Sequence, residues 1–310
     1  MLKNSAAILF NPAAGKGSAQ KRKGRLEGLL RKWEVPGRLI VTQSADDLRE
    51  LTRESAGRYH ALVGAGGDST LQIMADELAK SGADVDLGMI PLGSSNDIAR
   101  EFGLLDLERA CRILKRGRTK TIDLGAVYHR GRLLHYFVGQ ANIGLGVRVN
   151  GYVEKFSKRW PPLAPFQSLA GTLGIWRAYR RHEVPLSLSV QAGGQENRGR
   201  FILAGFNNIR FWASGRILHP SAQPDDGRLD GCLIEGCSFL RLARLAAMAR
   251  RGRLARASEA AFLVAPVFRI SSEREFDVQV DGEIIGGYGT PSLFRDIQIS
   301  AIPRKLRLIC

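Results

Sequence analysis

The chain has 310 residues, 44% of them hydrophobic, and a formal net charge of +16. That apolar fraction excludes a disordered chain, and the length exceeds what one core usually supports, so two domains are expected. The charge favours anionic partners (phosphate-bearing ligands, anionic lipid surfaces or nucleic acid), although a solvated basic surface serving solubility would look the same.

Cysteines at 111, 232, 237 and 310 form no C-x2-C pair and five histidines are scattered, which argues against a Cys/His metal site and demands no oxidising compartment. The apolar run within Met1–Phe10 is too short for a signal-peptide core. No run reaches the ~18 apolar residues that span a bilayer. Any membrane contact is therefore expected to be peripheral, on a cytoplasmic protein.

In chain order, Ala6–Phe10 reads as a buried strand, followed by Leu26, Leu29, Leu30 and Trp33 at helical spacing. Arg38–Thr42 is a second strand, and Ser44 with Asp47 three residues on suits a helix start. His60–Gly64 is a third strand, leading to a helical stripe of Leu71, Met74, Ala75 and Leu78. Leu87–Pro91 is a fourth; Ile98–Phe102 and Leu107–Leu114 read as helices and Thr121–Leu124 as a strand. Such alternation implies an α/β domain with a parallel sheet, which binds ligands at the carboxyl ends of its strands. After Val127 short alternating runs dominate: Leu133–Val138, Leu186–Val190, Phe201–Phe206, Leu229–Ile234, Val267–Ser271 and Phe276–Val280. They predict an antiparallel β-rich, sandwich-like domain. Helices are expected near Leu169–Arg181 and Phe239–Arg256, and a last strand at Asp296–Ala301. The expected division is 1–126 for the α/β domain and 127–286 for the β-rich one, with about 287–310 packing on either and the active site in the cleft between.

Three loops follow strands of the parallel sheet: Asn11-Pro12-Ala13-Ala14-Gly15-Lys16-Gly17, Gly64-Ala65-Gly66-Gly67-Asp68-Ser69-Thr70, and Pro91-Leu92-Gly93-Ser94-Ser95-Asn96-Asp97. Glycines let backbone N–H groups approach phosphate oxygens, and a helix N-terminus favours their charge. Converging on one sheet edge, the three would make a nucleotide polyphosphate site, with Lys16 as a point charge and Asp68 placed to bind Mg2+ or orient a hydroxyl. Taken singly, each has a plainer reading: an ordinary βα turn with a capping Asp68, a solvated Lys16, a helix-capping Asn96.

These residues resemble the diacylglycerol kinase catalytic domain family, which includes bacterial lipid kinases and the sphingosine and ceramide kinases. Its signatures NP-x-x-GK, GGDGT and PLGT-x-NDFAR stand here as NPAAGKG, GGDST and PLGSSNDIAR. Asp225–Asp230 looks like its DG-x-LD element, and Gln279-Val280-Asp281-Gly282-Glu283 like its late DGE element. The resemblance implies ATP contacts from Gly66, Gly67, Asp68, Ser69, Thr70, Thr42 and Ser94, alongside the loop residues Asn11, Pro12, Gly15, Lys16, Gly93 and Asn96. It implies Mg2+ at Asp226 with the backbone oxygens of Gln223 and Arg228, and a general base at Glu283 assisted by Asp281. If Asp281 and Glu283 lie on a strand, their spacing puts both carboxylates on one face; the alternative is an acidic β-turn around Gly282. Departures are Ser69 and Ser95, and Gln72-Ile73 where Asn-Glu is common. A Ser69 forced to φ > 0 would carry a steric cost.

For the lipid side, Trp160–Phe166 and Trp176, flanked by Lys155, Lys158, Arg159, Arg177, Arg180 and Arg181, suit a membrane interface or an apolar cover. Arginines 241, 244, 250, 251, 253 and 256 on a helix with Leu240, Leu242, Leu245, Ala246 and Met248 suit an anionic membrane or a solvated face. The expectation is thus an ATP- and Mg2+-dependent kinase of a lipid hydroxyl, of diacylglycerol, sphingoid base or ceramide type. Alternatives are an NAD kinase-like enzyme with a soluble acceptor, or a catalytically weak lipid-binding module. Nucleic-acid motifs are absent, and the oligomeric state, a homodimer included, is left open.

Overall fold

The computed structural model describes residues 6–147, 176–177, 184–285 and 293–310. The aromatic segment 160–166, most of its flanking cations and most of the expected helix at 169–181 lie outside them; Trp176 and Arg177 are helical and exposed.

The first domain runs β1 (Ala6–Phe10), α1 (Ser18–Lys32), β2 (Arg38–Val41), α2 (Ala45–Ala56), β3 (Ala61–Gly66), α3 (Asp68–Ser81), β4 (Asp86–Pro91), α4 (Asp97–Glu101) and α5 (Leu107–Arg116). Local chemistry sets the boundaries. Ser44 Oγ accepts the Asp47 N–H at 3.0 Å while Asp47 Oδ2 accepts the Gln43 N–H at 2.7 Å, a reciprocal cap that starts α2. Gly82 and Gly117, both left-handed, end α3 and α5. The four strands pair in parallel in the order β2-β1-β3-β4. Successive strands thus depart from β1 in opposite directions. The crevice at such a switch point opens between the carboxyl ends of β1 and β3.

The second domain is antiparallel. It contains β6 (Arg132–Phe137), β7 (Gln140–Gly144), β8 (Leu186–Ala192), β9 (Gln195–Asn207), the hairpin β10 (Phe211–Trp212) and β11 (Arg216–Ile217), β12 (Leu229–Glu235), α6 (Phe239–Arg250), β13 (Ala260–Ala265), β14 (Val267–Phe276), β15 (Val278–Val280) and β16 (Glu283–Ile284). Phe206, Phe268 and Phe276 are fully buried at its centre.

Two strands join the domains and outrun the sequence expectation. β5 (Thr119–His129) continues beyond Leu124 because Gly125–His129 find partners on β6. β17 (Phe294–Ile309) continues beyond Ala301 through Pro303, where the register shifts between Ile302 and Leu306 and Arg304 takes φ 53. A proline with no ladder donor tolerates such an irregularity, and the strand resumes after it. β17 lies antiparallel to β14 and β5, and meets β4 in parallel at Leu308↔Leu87.

The helix expected to reach Arg256 stops at Arg250. Gly252 takes φ 62, and Leu254–Arg256 form a separate 3-10 turn. Leu242, Leu245 and Ala249 face the sandwich, whereas Leu240 is 81% exposed.

Candidate active site

The three glycine-containing loops converge at the switch point. The Asn11 N–H donates to Ala65 O at 2.9 Å, and Asn11 Nδ2 donates to Thr70 Oγ1 at 3.0 Å. The N–H groups of Leu92 and Gly93 both donate to Gly66 O, at 2.7 and 3.1 Å. Gly67 and Gly93 lie backbone to backbone: a Cβ on Gly67 would stand 3.0 Å from the Gly93 Cα, so neither position has room for a side chain. Gly15, Lys16 and Gly17 all take positive φ, a wound turn that delivers the chain into α1, with Lys16 exposed at its tip. Pro12 is half-buried in the first loop and Ser94 is exposed in the third. Thr42, buried at the end of β2, donates through Oγ1 to Phe10 O at 3.2 Å.

Asp68 opens α3, yet its carboxylate caps another helix. Oδ2 accepts the Asp97 N–H and Oδ1 the Ile98 N–H, both at 3.0 Å, which satisfies the first turn of α4. Asp97 in turn accepts the N–H groups of Ser214 and Gly215 at 2.9 and 2.7 Å. Glu101, at the other end of α4, clamps Arg210 through its backbone N–H and guanidinium at 3.0 Å each. The third loop is thereby tied to the β10–β11 hairpin, where Ser95 Oγ and Ser214 Oγ are 2.9 Å apart. Burial raises both Asp68 and Asp97 above the usual carboxylate range, while the amides they receive hold them back. Asn96, at φ 50, does not cap α4; its amide closes on the N–H and C=O of Gly93 at 3.0 and 2.9 Å. Ser69 lies in the first turn of α3 and is not among the residues with positive φ, so replacing glycine there carries no backbone cost.

Asp281 and Glu283 do not share a strand face. Asp281 (φ 44) and Gly282 (φ 97) are the two central residues of a tight hairpin turn between β15 and β16, with Val280 opposite Glu283. The Asp281 carboxylate is buried and accepts the N–H groups of Val138, Gly139 and Gln140 at 2.8, 3.0 and 2.7 Å. Burial dominates these amides and, with Asp68 nearby, lifts the carboxyl to about 7. Glu283 is half-buried; its carboxyl is raised by burial and held back by Arg49, whose Nη2 lies 3.5 Å from Oε2, and by His135. The turn sits over the second loop: a Cβ on Gly282 would lie 3.9 Å from Ser69 Oγ.

No sequence motif points to the side chains that support this turn. Arg49 also meets Asp46 and Glu77, joining α2, α3 and β16. Gln72, fully buried, donates to Tyr136 O and accepts the Val138 N–H at 3.2 Å; Asp76 accepts the Tyr136 N–H at 2.9 Å and stands 3.4 Å from His135 Nδ1. Gln72, where the family commonly has Asn, therefore holds the β6–β7 connection that receives Asp281. A helical period of 3.6 would have put Gln72 and Asp76 on one face of α3, but not named their partners.

Asp226 is exposed on a loop anchored by Asp123 of β5, whose oxygens accept the N–H groups of Gly227 and Arg304, both at 2.7 Å. Partial desolvation against the loop and the charges of Asp230 and Asp123 raise its carboxyl, while the Arg228 N–H it accepts at 3.0 Å holds it back. Gln223 and Arg228 are exposed on the same loop, and among the described residues no group of three or more metal-ligating side chains occurs.

This is the scaffold of a kinase: parallel strands presenting glycine loops against a carboxylate-bearing sandwich. The diacylglycerol kinase catalytic domain model matches residues 5–127, and the YegS C-terminal NAD kinase beta sandwich-like domain matches 139–310. The chain belongs to this diacylglycerol kinase family of lipid kinases. It is 29% identical over 308 residues to a diacylglycerol kinase of Mycobacterium tuberculosis, covering 97% of this chain and 93% of that one. It is 29% identical over 272 residues to a Pseudomonas aeruginosa protein named "Probable lipid kinase YegS-like", covering 86% and 82%. A crystal structure of a diacylglycerol kinase from Bacillus anthracis shares the fold, with a TM-score of 0.70 at 17% identity over 98% of this chain and 96% of that one.

Proposed function

We propose that the protein transfers the γ-phosphoryl group of ATP to a lipid hydroxyl at an anionic membrane surface. What supports this reading above all is the seating of the Asp281–Glu283 turn over the Gly66–Thr70 loop, which puts a carboxylate opposite a phosphate cradle. Phosphoryl transfer depends on positioning and charge neutralisation more than on covalent chemistry. The loops from β1, β3 and β4 hold the nucleotide with backbone N–H groups, and Lys16 adds a positive charge at their rim.

Of the two carboxylates, Glu283 is the base. Asp281 has its oxygens filled by three backbone amides and serves to fix the turn. Glu283 is half-buried with a raised pKa, closer to the working pH where proton acceptance is most effective. Mg2+ fits Asp226, where Asp230 and Asp123 add a negative field that a cation would relieve; the backbone oxygens of Gln223 and Arg228 complete the candidate ligands. When bound, the ion neutralises charge on the second domain.

The membrane face is α6. Leu240 projects from it, Phe239 lies beside it, and Arg244, Arg250 and Arg251 are exposed along it. No helix among the described residues is long and apolar enough to cross a membrane. In this reading α6 lies on the surface of the cytoplasmic leaflet, its arginines towards the anionic lipid.

The test is transfer of radiolabelled phosphate from ATP into a total lipid extract, with Glu283→Gln beside the wild type. The lipid should be labelled by the wild type, and the variant's turnover should fall by ~10²–10⁴-fold with ATP affinity nearly unchanged. Label appearing only in a soluble acceptor would instead favour an NAD kinase-like reaction. Collapse of ATP affinity in the variant would make Glu283 a nucleotide or structural residue.

A further inference from the structure

The second domain's sheet has two faces of opposite character. Ala141, Ile143, Ala204, Phe206, Leu229 and Leu233 belong to the apolar core on one. Alternation sends Gln140 and Asn142 of β7, Gly205 and Asn207 of β9, and Asp230 of β12 to the other. The register sets them in adjacent rows: Gln279, Asn142 and Gly205 in one, Gln140, Asn207 and Asp230 in the next. Gly205 makes room for the Asn142 amide, since a Cβ there would stand 3.1 Å from Asn142 Oδ1. His219 closes the far end, its Nδ1 2.9 Å from Asp230 Oδ1. Asn142, Asn207, Asp230, His219 and Gln279 are all buried.

Hydrogen-bonding capacity in this row is unfilled. Among the described residues eight buried side-chain polar atoms have no partner, and five of them lie here: Gln140 Oε1, both amide atoms of Asn142, Asp230 Oδ2 and His219 Nε2. Buried polar atoms are normally paired, so such a concentration on β7, β12 and the adjoining His219 marks a place where something polar binds. The balance is one-sided. His219 Nδ1 faces both Asp230 Oδ1, at 2.9 Å, and Ser221 Oγ, at 3.1 Å. Leaving His219 Nε2 aside, three acceptors stand against one donor, Asn142 Nδ2. The row also runs into the catalytic turn. Gln279, opposite Asn142, donates through Nε2 to Gly282 O at 3.1 Å, and the Gln140 N–H donates to Asp281 Oδ1 at 2.7 Å.

Building on the kinase reading above, we infer that this polar row receives the headgroup of the acceptor lipid and that the acceptor is rich in hydrogen-bond donors. It carries an amine or a further hydroxyl beside the one that is phosphorylated. A diacylglycerol fits poorly, because its single hydroxyl is taken up by the reaction and its two esters only accept.

The experiment presents three lipids in mixed micelles: a long-chain amino alcohol (sphinganine), a monoacylglycerol and a diacylglycerol. Binding is measured without nucleotide, and initial rates with ATP. The two donor-rich lipids should bind and react at least about tenfold better than the diacylglycerol, because a site lined with buried polar groups rejects analogues that leave them unpaired. Asn142→Leu should erase that preference while its melting temperature holds or rises, since replacing a buried orphan by an apolar isostere is near neutral or stabilising. Gln140→Leu provides a second variant should the first fail to fold. A preference for diacylglycerol, or a preference unchanged in both variants, overturns the inference and leaves the row as hydrated interior. If no lipid is phosphorylated, the kinase reading falls, but the binding arm still decides: selective, Asn142-dependent binding upholds the site and indiscriminate binding removes it.

Discussion

The carboxyl of Asp281 stands between two opposed effects, and Asp281→Asn separates them. Burial lifts it from 3.8 to about 7, against three backbone amides that favour the charged form. That displacement makes ionisation about 4 kcal/mol costlier in the folded chain than in the unfolded one, at ~1.36 kcal/mol for each pH unit. The sign follows from proton counting. Between about pH 4 and 7 the folded chain keeps a proton that the unfolded chain has released, so the stability from this group is full at the acid end and is lost as pH rises through about 7. Asparagine has no such proton. Urea unfolding of both proteins at intervals from pH 4 to 8 gives the difference in stability, wild type minus variant, in which titrations common to both largely cancel. That difference should shrink by up to about 4 kcal/mol across the range and level off above it. A difference that is flat, or that grows with pH, would show the amides prevailing and Asp281 ionised throughout, and the division of labour with Glu283 would have to be redrawn.

Asp68→Asn keeps one acceptor for the first turn of α4 but turns an NH2 group towards an amide, so it should destabilise by ~1 kcal/mol and cut turnover by about 10²-fold; near-wild-type activity would leave Asp68 a helix cap and nothing more. Glu101→Ala frees Arg210 and should cost ~1–3 kcal/mol, read as a lower urea midpoint; an unchanged midpoint would mean the domains are held together elsewhere. Co-sedimentation with vesicles should rise with their anionic lipid content and fall with added salt, each surface arginine adding about 1 kcal/mol. Leu240→Glu, at a position 81% exposed, should weaken that binding without lowering the melting temperature, and binding indifferent to lipid charge and salt would refute the membrane face.

The parts legible in the sequence are those whose chemistry is local. Glycine loops after buried strands locate the phosphate side, because backbone approach needs glycine wherever the chain runs. Ser44 with Asp47 announces α2 for the same reason. The Asp281 turn is legible too, since Asp-Gly between alternating apolar residues is a two-residue hairpin signal, although a strand carrying both carboxylates on one face fits the same spacing. What could not be read depends on distant partners. Nothing near Asp68 says that its carboxylate serves the amides of residues 97 and 98, and nothing near Arg49 points to Glu283. The ends of β17 and α6 depart from the sequence pattern for opposite reasons: Pro303 interrupts a strand that resumes, whereas Gly252 follows a helix whose arginine-rich composition continues.

β17 imposes an order of assembly. It is made after every other described strand, yet its Leu308 pairs with Leu87 of β4, in the half made first. While synthesis proceeds, β4 is an open edge with Leu87, Met89 and Ile90 behind it, all buried once the sheet is complete. Open apolar edges recruit foreign strands. A fragment of residues 1–126 should therefore self-associate when expressed alone, and a peptide covering residues 294–309, added in trans, should suppress it.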